Sequence, residues 1–160
     1  MTERRAAILG RLSKTLGHTA SPVDEVVKQR LNARPRGPQP QWPETLRARY
    51  LARLARVSGT VAEIGARTEI AHAVAGYLDA QHLAPRLVAA PHPLLDGVEW
   101  PEAWQLARRH AQGDDRVGLA VAFCGIAESG SLMLLSGPDS PTTLNFLPDD
   151  FLCLLPASRI

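Results

Sequence analysis

The sequence predicts an α/β protein built on a parallel sheet and preceded by helices. Strand-like and helix-like segments alternate after residue 58, and crossover connections of that kind are the usual way to join parallel strands. The apolar runs LAVAF (119–123) and LMLL (132–135) are continuous rather than alternating, as in strands buried on both faces. With 160 residues, 45% apolar and 21% charged, the chain has the composition of a globular domain. A domain of this size buries roughly 70% of its unfolded surface without needing disulfides or metals.

Residues 2–16 place Ile8, Leu9, Leu12 and Leu16 at helical spacing, and Gly17 supplies the stop. Ser21, Pro22 and Asp24 form a helix start, followed by Val23, Val26, Val27 and Leu31 along one face, so two amphipathic helices are expected to pack as a hairpin. Residues 35–43 hold four prolines, which remove backbone donors and keep the segment extended as a linker. A third helix is expected from about Pro43, with Leu46, Tyr50, Leu54 and Val57 inward and Arg47, Arg49, Arg53 and Arg56 on the wet side. This gives a helical segment over 1–57 and an α/β domain over 58–160.

Within 58–160, residues 59–65 read as β-like and Thr68 as the cap of a helix carrying Ile70, Val74, Tyr77 and Leu78. Residues 86–90 read as a strand, Pro91-His92-Pro93 as a rigid turn, and 100–110 as a helix opened by Pro101. Residues 117–122 and 151–155 complete the strands.

Several function classes lose support here. The net charge of +2, from 18 basic and 16 acidic residues, does not call for a polyanionic partner. Arg49, Arg53 and Arg56 share a helical face, but no aromatic interleaving or nucleic-acid motif accompanies them, so no nucleic-acid partner is expected. Cys124 and Cys153 lack the spacing of a zinc or iron–sulfur site, and His18, His72, His82, His92 and His110 are scattered, so no metal site is expected. No stretch has the roughly 18 apolar residues of a membrane span, and no secretory leader is evident, so a cytoplasmic protein is expected.

The chemistry concentrates in residues 125–148, GIAESGSLMLLSGPDSPTTLNFLP. Ligands of open parallel sheets bind beyond the carboxyl ends of the strands, and the turn 125–131 follows the strand ending near Ala122. Glu128 there suits a nucleophile, a general base or a ligand-positioning carboxylate, and the Ser129 and Ser131 hydroxyls suit a bound carboxylate or phosphate. Glu128 and Ser129 equally suit the cap of a turn, and the residues alone leave both readings open. Ser136-Gly137-Pro138 reads as an anion-binding loop or as a plain turn. Thr142, Thr143 and Asn145 suit a short helix cap or a wall of the same cleft.

Three of these motifs, GIAESGSL (125–132), LSGP (135–138) and PTTLNFLP (141–148), closely resemble the lactate-utilization protein C family, also called the LUD domain family. An R-x-x-I-L-x-R-L-like start at residues 5–12 is similar too. The resemblance implies a Rossmann-like layered sheet of the sugar-isomerase and CoA-transferase (NagB/RpiA) type. It implies a part in oxidising L-lactate to pyruvate beside two partner proteins that carry the iron–sulfur clusters, with no cofactor in this chain. Onto matching positions it carries Glu128 as the acid, base or nucleophile, and Ser129, Gly130, Ser131, Ser136, Gly137, Thr142, Thr143 and Asn145 as binders of a small anionic ligand. Amides around Gly130 and Gly137 are the expected donors. The alternative is a stand-alone enzyme of the same fold acting on a sugar phosphate or a CoA ester.

Two departures bear on that transfer. Phe151 stands where family members commonly carry a histidine, so no histidine-dependent role comes across. The family also continues past a segment like 156–160 into a further helix and strand. Without them the last strand is expected to leave an open edge, which invites pairing with another copy, and the active site is expected to be incomplete.

Overall fold

The computed structural model describes residues 2–17, 25–34, 37–38 and 41–160. The chain divides into two compact units, residues 1–41 and residues 42–160.

The first unit holds helices α1 (Thr2–Thr15) and α2 (Glu25–Ala33). Gly17 ends α1 as expected, with its φ of +63° in the left-handed region where a Cβ is strained. The cap expected of Ser21, Pro22 and Asp24 lies outside the described residues, as does part of the proline-rich segment. Among the described residues, Ile8, Leu9, Leu12 and Leu16 of the first segment and Val26, Val27 and Leu31 of the second are all exposed, so these apolar faces are not buried as the expected hairpin would bury them.

The second unit is a four-stranded parallel sheet with a separate hairpin. Strands β1 (Arg86–Ala89), β2 (Gln105–Arg108), β3 (Val117–Val121) and β6 (Asp150–Leu154) lie in the order β2-β1-β3-β6. All three pairings are parallel. Strands β4 (Cys124–Ile126) and β5 (Ser131–Met133) pair antiparallel. This is the α/β architecture the sequence predicts, and β3 is buried at every residue.

The core forms where α4 (Ile70–Ala80) lays Ile70, Val74 and Leu78 against Leu87, Val88, Val117, Leu119 and Val121. Burying an aliphatic side chain of this size contributes about 1.5–3 kcal/mol. The Tyr77 hydroxyl donates to Asp150 Oδ1 at 2.7 Å and so ties α4 to the start of β6. Gly118 occupies a close approach in β3, since a Cβ there would come within 2.7 Å of Pro148 Cγ and 3.1 Å of the Leu144 carbonyl oxygen.

Several local expectations fail for identifiable reasons. Residues 59–65 form no strand: Gly59 N–H bonds Leu54 O at 3.1 Å and Gly65 N–H bonds the Glu69 carboxylate at 2.9 Å, so local bonds take the donors a ladder would use. Thr68 caps nothing, because it sits inside a 3-10 turn, Arg67–Glu69, that leads into α4. The helix expected over 100–110 is replaced by a turn and β2. Trp100 and Trp104, at helical spacing, pack at 5.7 Å beside the core, while Gln105–Arg108 takes register with β1. Residues 132–135 are not a buried run, since Leu132 and Leu134 are half-buried while Met133 and Leu135 are exposed.

Helix α3 (Leu46–Ala55) begins behind Thr45, whose hydroxyl accepts from Ala48 N–H at 3.2 Å. Tyr50 is buried as expected, but Leu46 and Val57 are exposed and Arg49 is buried at 7% exposure. Arg47 and Arg56 are exposed and Arg53 is half-buried, so Arg49 is the one that leaves the expected wet side. The Arg49 guanidinium stacks 3.2 Å over the Trp42 ring and Nη1 bonds Glu44 at 2.8 Å, which holds the Glu44 carboxyl below its ordinary range. Arg49 Nε and Nη2 are buried and have no hydrogen-bond partner among the described residues.

A desolvated cation–π stack contributes about 0.5–2 kcal/mol. Two unmet buried donors cost about 1–3 kcal/mol each. Arg49→Met is therefore expected to leave the denaturation free energy unchanged or raised, and a loss above about 2 kcal/mol would show that the stack prevails.

Asp115 supplies a pH test. The Arg109 guanidinium binds it at 2.6 and 3.0 Å, Gln112 N–H adds a third bond, and the charge-assisted pairing holds its carboxyl below the ordinary range. Its stabilisation is thus full above the unfolded pKa of about 3.9 and is lost as pH falls through the lower folded value. Melting midpoints of wild type and Asp115→Asn are expected to differ at pH 6 and to converge below about pH 4; a constant gap would contradict this linkage.

Candidate functional site

The strand order creates the site. The chain leaving β1 continues to β2 on one side and the chain leaving β3 continues to β6 on the other, so these connections run in opposite directions and open a crevice between the carboxyl ends of β1 and β3. A cleft of about 180 Å³ lies there. Its floor is Val121, Ala122 and Phe123 at the end of β3, and its walls are His92 after β1, Leu135 to Gly137, Asp139 and Ser140 of the following loop, and Arg159 after β6.

His92 is fixed from three sides. Its Nδ1 accepts from Leu94 N–H at 3.1 Å, and its carbonyl accepts from Leu95 N–H at 2.9 Å and from Arg108 Nη2 at 3.0 Å. A neutral ring held this way carries its proton on Nε2. Arg108 in turn pairs with Asp96 at 2.6 Å, so β2 braces the turn after β1.

The loop after β5 is folded on itself. Gly137 and Ser140 exchange two backbone hydrogen bonds of 3.1 Å, and Ser136 and Thr142 share a hydroxyl–hydroxyl bond of 2.7 Å. The Thr143 hydroxyl accepts from Ala111 N–H at 3.0 Å, and Leu144 is fully buried, so the 3-10 turn Thr142–Asn145 is anchored to the sheet. Asn145 Oδ1, at the end of that turn, is buried and has no hydrogen-bond partner among the described residues. Arg159, in the 3-10 turn Ala157–Arg159, is exposed, and its side chain forms no hydrogen bond or ion pair among the described residues.

The sequence-derived candidates therefore fall into two groups. Ser136 and Gly137 line the cleft, Thr142 bonds Ser136, and Thr143 and Asn145 sit in the supporting turn. Glu128, Ser129 and Gly130 lie in the β4–β5 turn and Ser131 opens β5, and none of the four lines the cleft. That turn packs on α3: a Cβ on Gly130 would lie 2.7 Å from Arg53 Cβ and 3.1 Å from Leu54 N, with φ at +78°. The N–H groups of Ser129 and Gly130 both bond Ile126 O, and Ser129 Oγ bonds Ser131 Oγ at 2.9 Å. Glu128 is exposed. The amide donors expected near Gly130 and Gly137 are thus already engaged within their own turns.

His92, Phe123, Asp139, Ser140 and Arg159 were not singled out by the sequence. The signal available was position, since His92, Phe123 and Arg159 each follow the carboxyl end of a parallel strand. Cys153 is a poor nucleophile, because burial pushes its thiol up to about 12.

Gly130→Ala is expected to destabilise the fold by about 2–4 kcal/mol, combining left-handed strain with overpacking against α3. A variant of unchanged denaturation midpoint would remove the structural role assigned to this turn.

Residues 48–160, more than two thirds of the chain, match the family model described as LUD domain. An uncharacterized protein of Neisseria meningitidis serogroup B is 44% identical over 43 residues, which is 27% of this chain. That stretch spans 18% of the relative's length. No solved structure matches the chain. Among the described residues no helix is long and apolar enough to cross a membrane.

Proposed function

We propose that this chain, which belongs to the LUD domain family of lactate-utilization proteins, is the component without an iron–sulfur cluster in a cytoplasmic system that oxidises L-lactate to pyruvate. Its contribution is to bind a small anionic ligand, while iron–sulfur partner proteins supply the electron-transfer centres. The observation that carries the ligand-binding part is the cleft at the β1/β3 switch point. At about 180 Å³ it is smaller than the roughly 300–1,000 Å³ of pockets for drug-sized ligands, and it suits an acid of a few carbon atoms.

Ser136 and Gly137 are the proposed ligand-facing residues from the motif region, with Thr142 setting the Ser136 hydroxyl. Thr143 and Asn145 support the wall from behind. A stand-alone enzyme acting on a sugar phosphate or a CoA ester would need the Glu128 carboxylate at the ligand, and the position of Glu128, exposed and outside the cleft lining, favours the binding role instead.

Disruption of the gene is expected to abolish growth on L-lactate as sole carbon source, with growth restored by the wild-type gene. The tagged protein is expected to recover partners with the visible absorbance of iron–sulfur clusters. Unimpaired growth on L-lactate would remove the proposed role.

A further inference from the structure

We propose that Arg159, His92 and Asp139 form the ligand-recognising part of the cleft and that they select a short 2-hydroxy monocarboxylate. This rests on the reading of the switch-point cleft as a small-anion site and adds the residues and the chemistry of selection.

Arg159 lines the cleft with a guanidinium that has no partner among the described residues, whereas Arg47, Arg86, Arg108 and Arg109 are all committed to carboxylates. An uncommitted guanidinium presents a planar fork of donors that matches a carboxylate in bidentate fashion. His92 also lines the cleft; with Nδ1 occupied by Leu94 N–H, its remaining ring nitrogen is an N–H donor. Asp139 supplies the opposite capacity. Its carboxylate is folded near Gly137, 3.7 Å from where a Cβ there would stand, and it can only accept.

One guanidinium and one carboxylate leave the cleft formally neutral when His92 is neutral. A dianion such as phosphate would meet the Asp139 charge with only one compensating cation, whereas a monocarboxylate leaves a single charge matched by Arg159. The atom next to that carboxylate then faces a donor, His92 Nε2–H, and an acceptor, Asp139. A hydroxyl satisfies both, a ketone satisfies only His92, and a methylene satisfies neither. A site built around a hydroxyl rejects analogues that leave its polar groups unmet.

The test is isothermal titration calorimetry on the whole chain with L-lactate, glycolate, pyruvate, propionate and inorganic phosphate. L-Lactate and glycolate are expected to bind about tenfold or more tightly than pyruvate and propionate, and phosphate more weakly than either hydroxy acid. Arg159→Gln is expected to weaken hydroxy-acid binding at least about tenfold, with Arg159→Lys recovering part of it. Asp139→Asn is expected to narrow the difference between L-lactate and propionate. Both positions are exposed, so folding is preserved, and an unchanged melting midpoint confirms it.

Hydroxy-acid binding indifferent to Arg159→Gln, or phosphate binding tighter than either hydroxy acid, would overturn the proposal. Glycolate binding that depends on Arg159, without L-lactate binding, would uphold the site and remove the lactate reading. L-Lactate binding indifferent to both variants would do the reverse.

Discussion

Parallel pairing of β1 with neighbours on both sides is the constraint on which the rest of this structure depends. With β2 and β3 flanking β1 and β6 beyond β3, the chain leaving β1 turns toward β2 while the chain leaving β3 turns toward β6, and a crevice opens at their carboxyl ends. His92, Phe123 and Arg159 reach that crevice because each lies just past a strand end. Gly118 keeps the constraint tight, since without a Cβ it lets the Leu144 carbonyl and Pro148 press onto the middle of β3. The loop that forms the outer wall is therefore seated on the sheet. With Thr143 tied to Ala111 and Leu144 fully buried, Ser136 stands on a fixed base rather than on a free loop.

The two polar turns of the motif region divide their work. The β4–β5 turn spends its amides on Ile126 and its glycine on close approach to α3, which joins the hairpin to the helix. The loop that follows closes on itself through Gly137 and Ser140 and turns its polar groups toward the crevice. Their sequence closeness hides this difference, because both are short, glycine-containing and rich in hydroxyls. What separates them is the neighbour each meets in the fold.

Much of the sheet was legible in the sequence because its signal is local. Continuous apolar residues mark β1, β3 and β6 whatever their partners, and the Ile70, Val74 and Leu78 spacing marks α4. The failures are cases where a distant partner decides. Trp100 and Trp104 have helical spacing, yet the edge of β1 draws Gln105–Arg108 into a strand. Arg49 has the spacing of a solvent-facing arginine, yet Trp42 and Glu44 fold over it. At the site, Ser136, Gly137 and Thr142 were legible as a polar loop, whereas Arg159 and His92 lie 67 residues apart in sequence and meet only through the strand order.

The proposed site of ligand recognition is the β1/β3 crevice and not the β4–β5 turn. The most direct measurement is a titration of the isotope-labelled protein with L-lactate followed by amide and arginine side-chain NMR shifts. Saturable shifts are expected at Phe123, Ser136, Asp139, Ser140 and the Arg159 side chain, with residues 128–131 unmoved. Shifts confined to residues 128–131, or no saturable shift at the crevice, would contradict it.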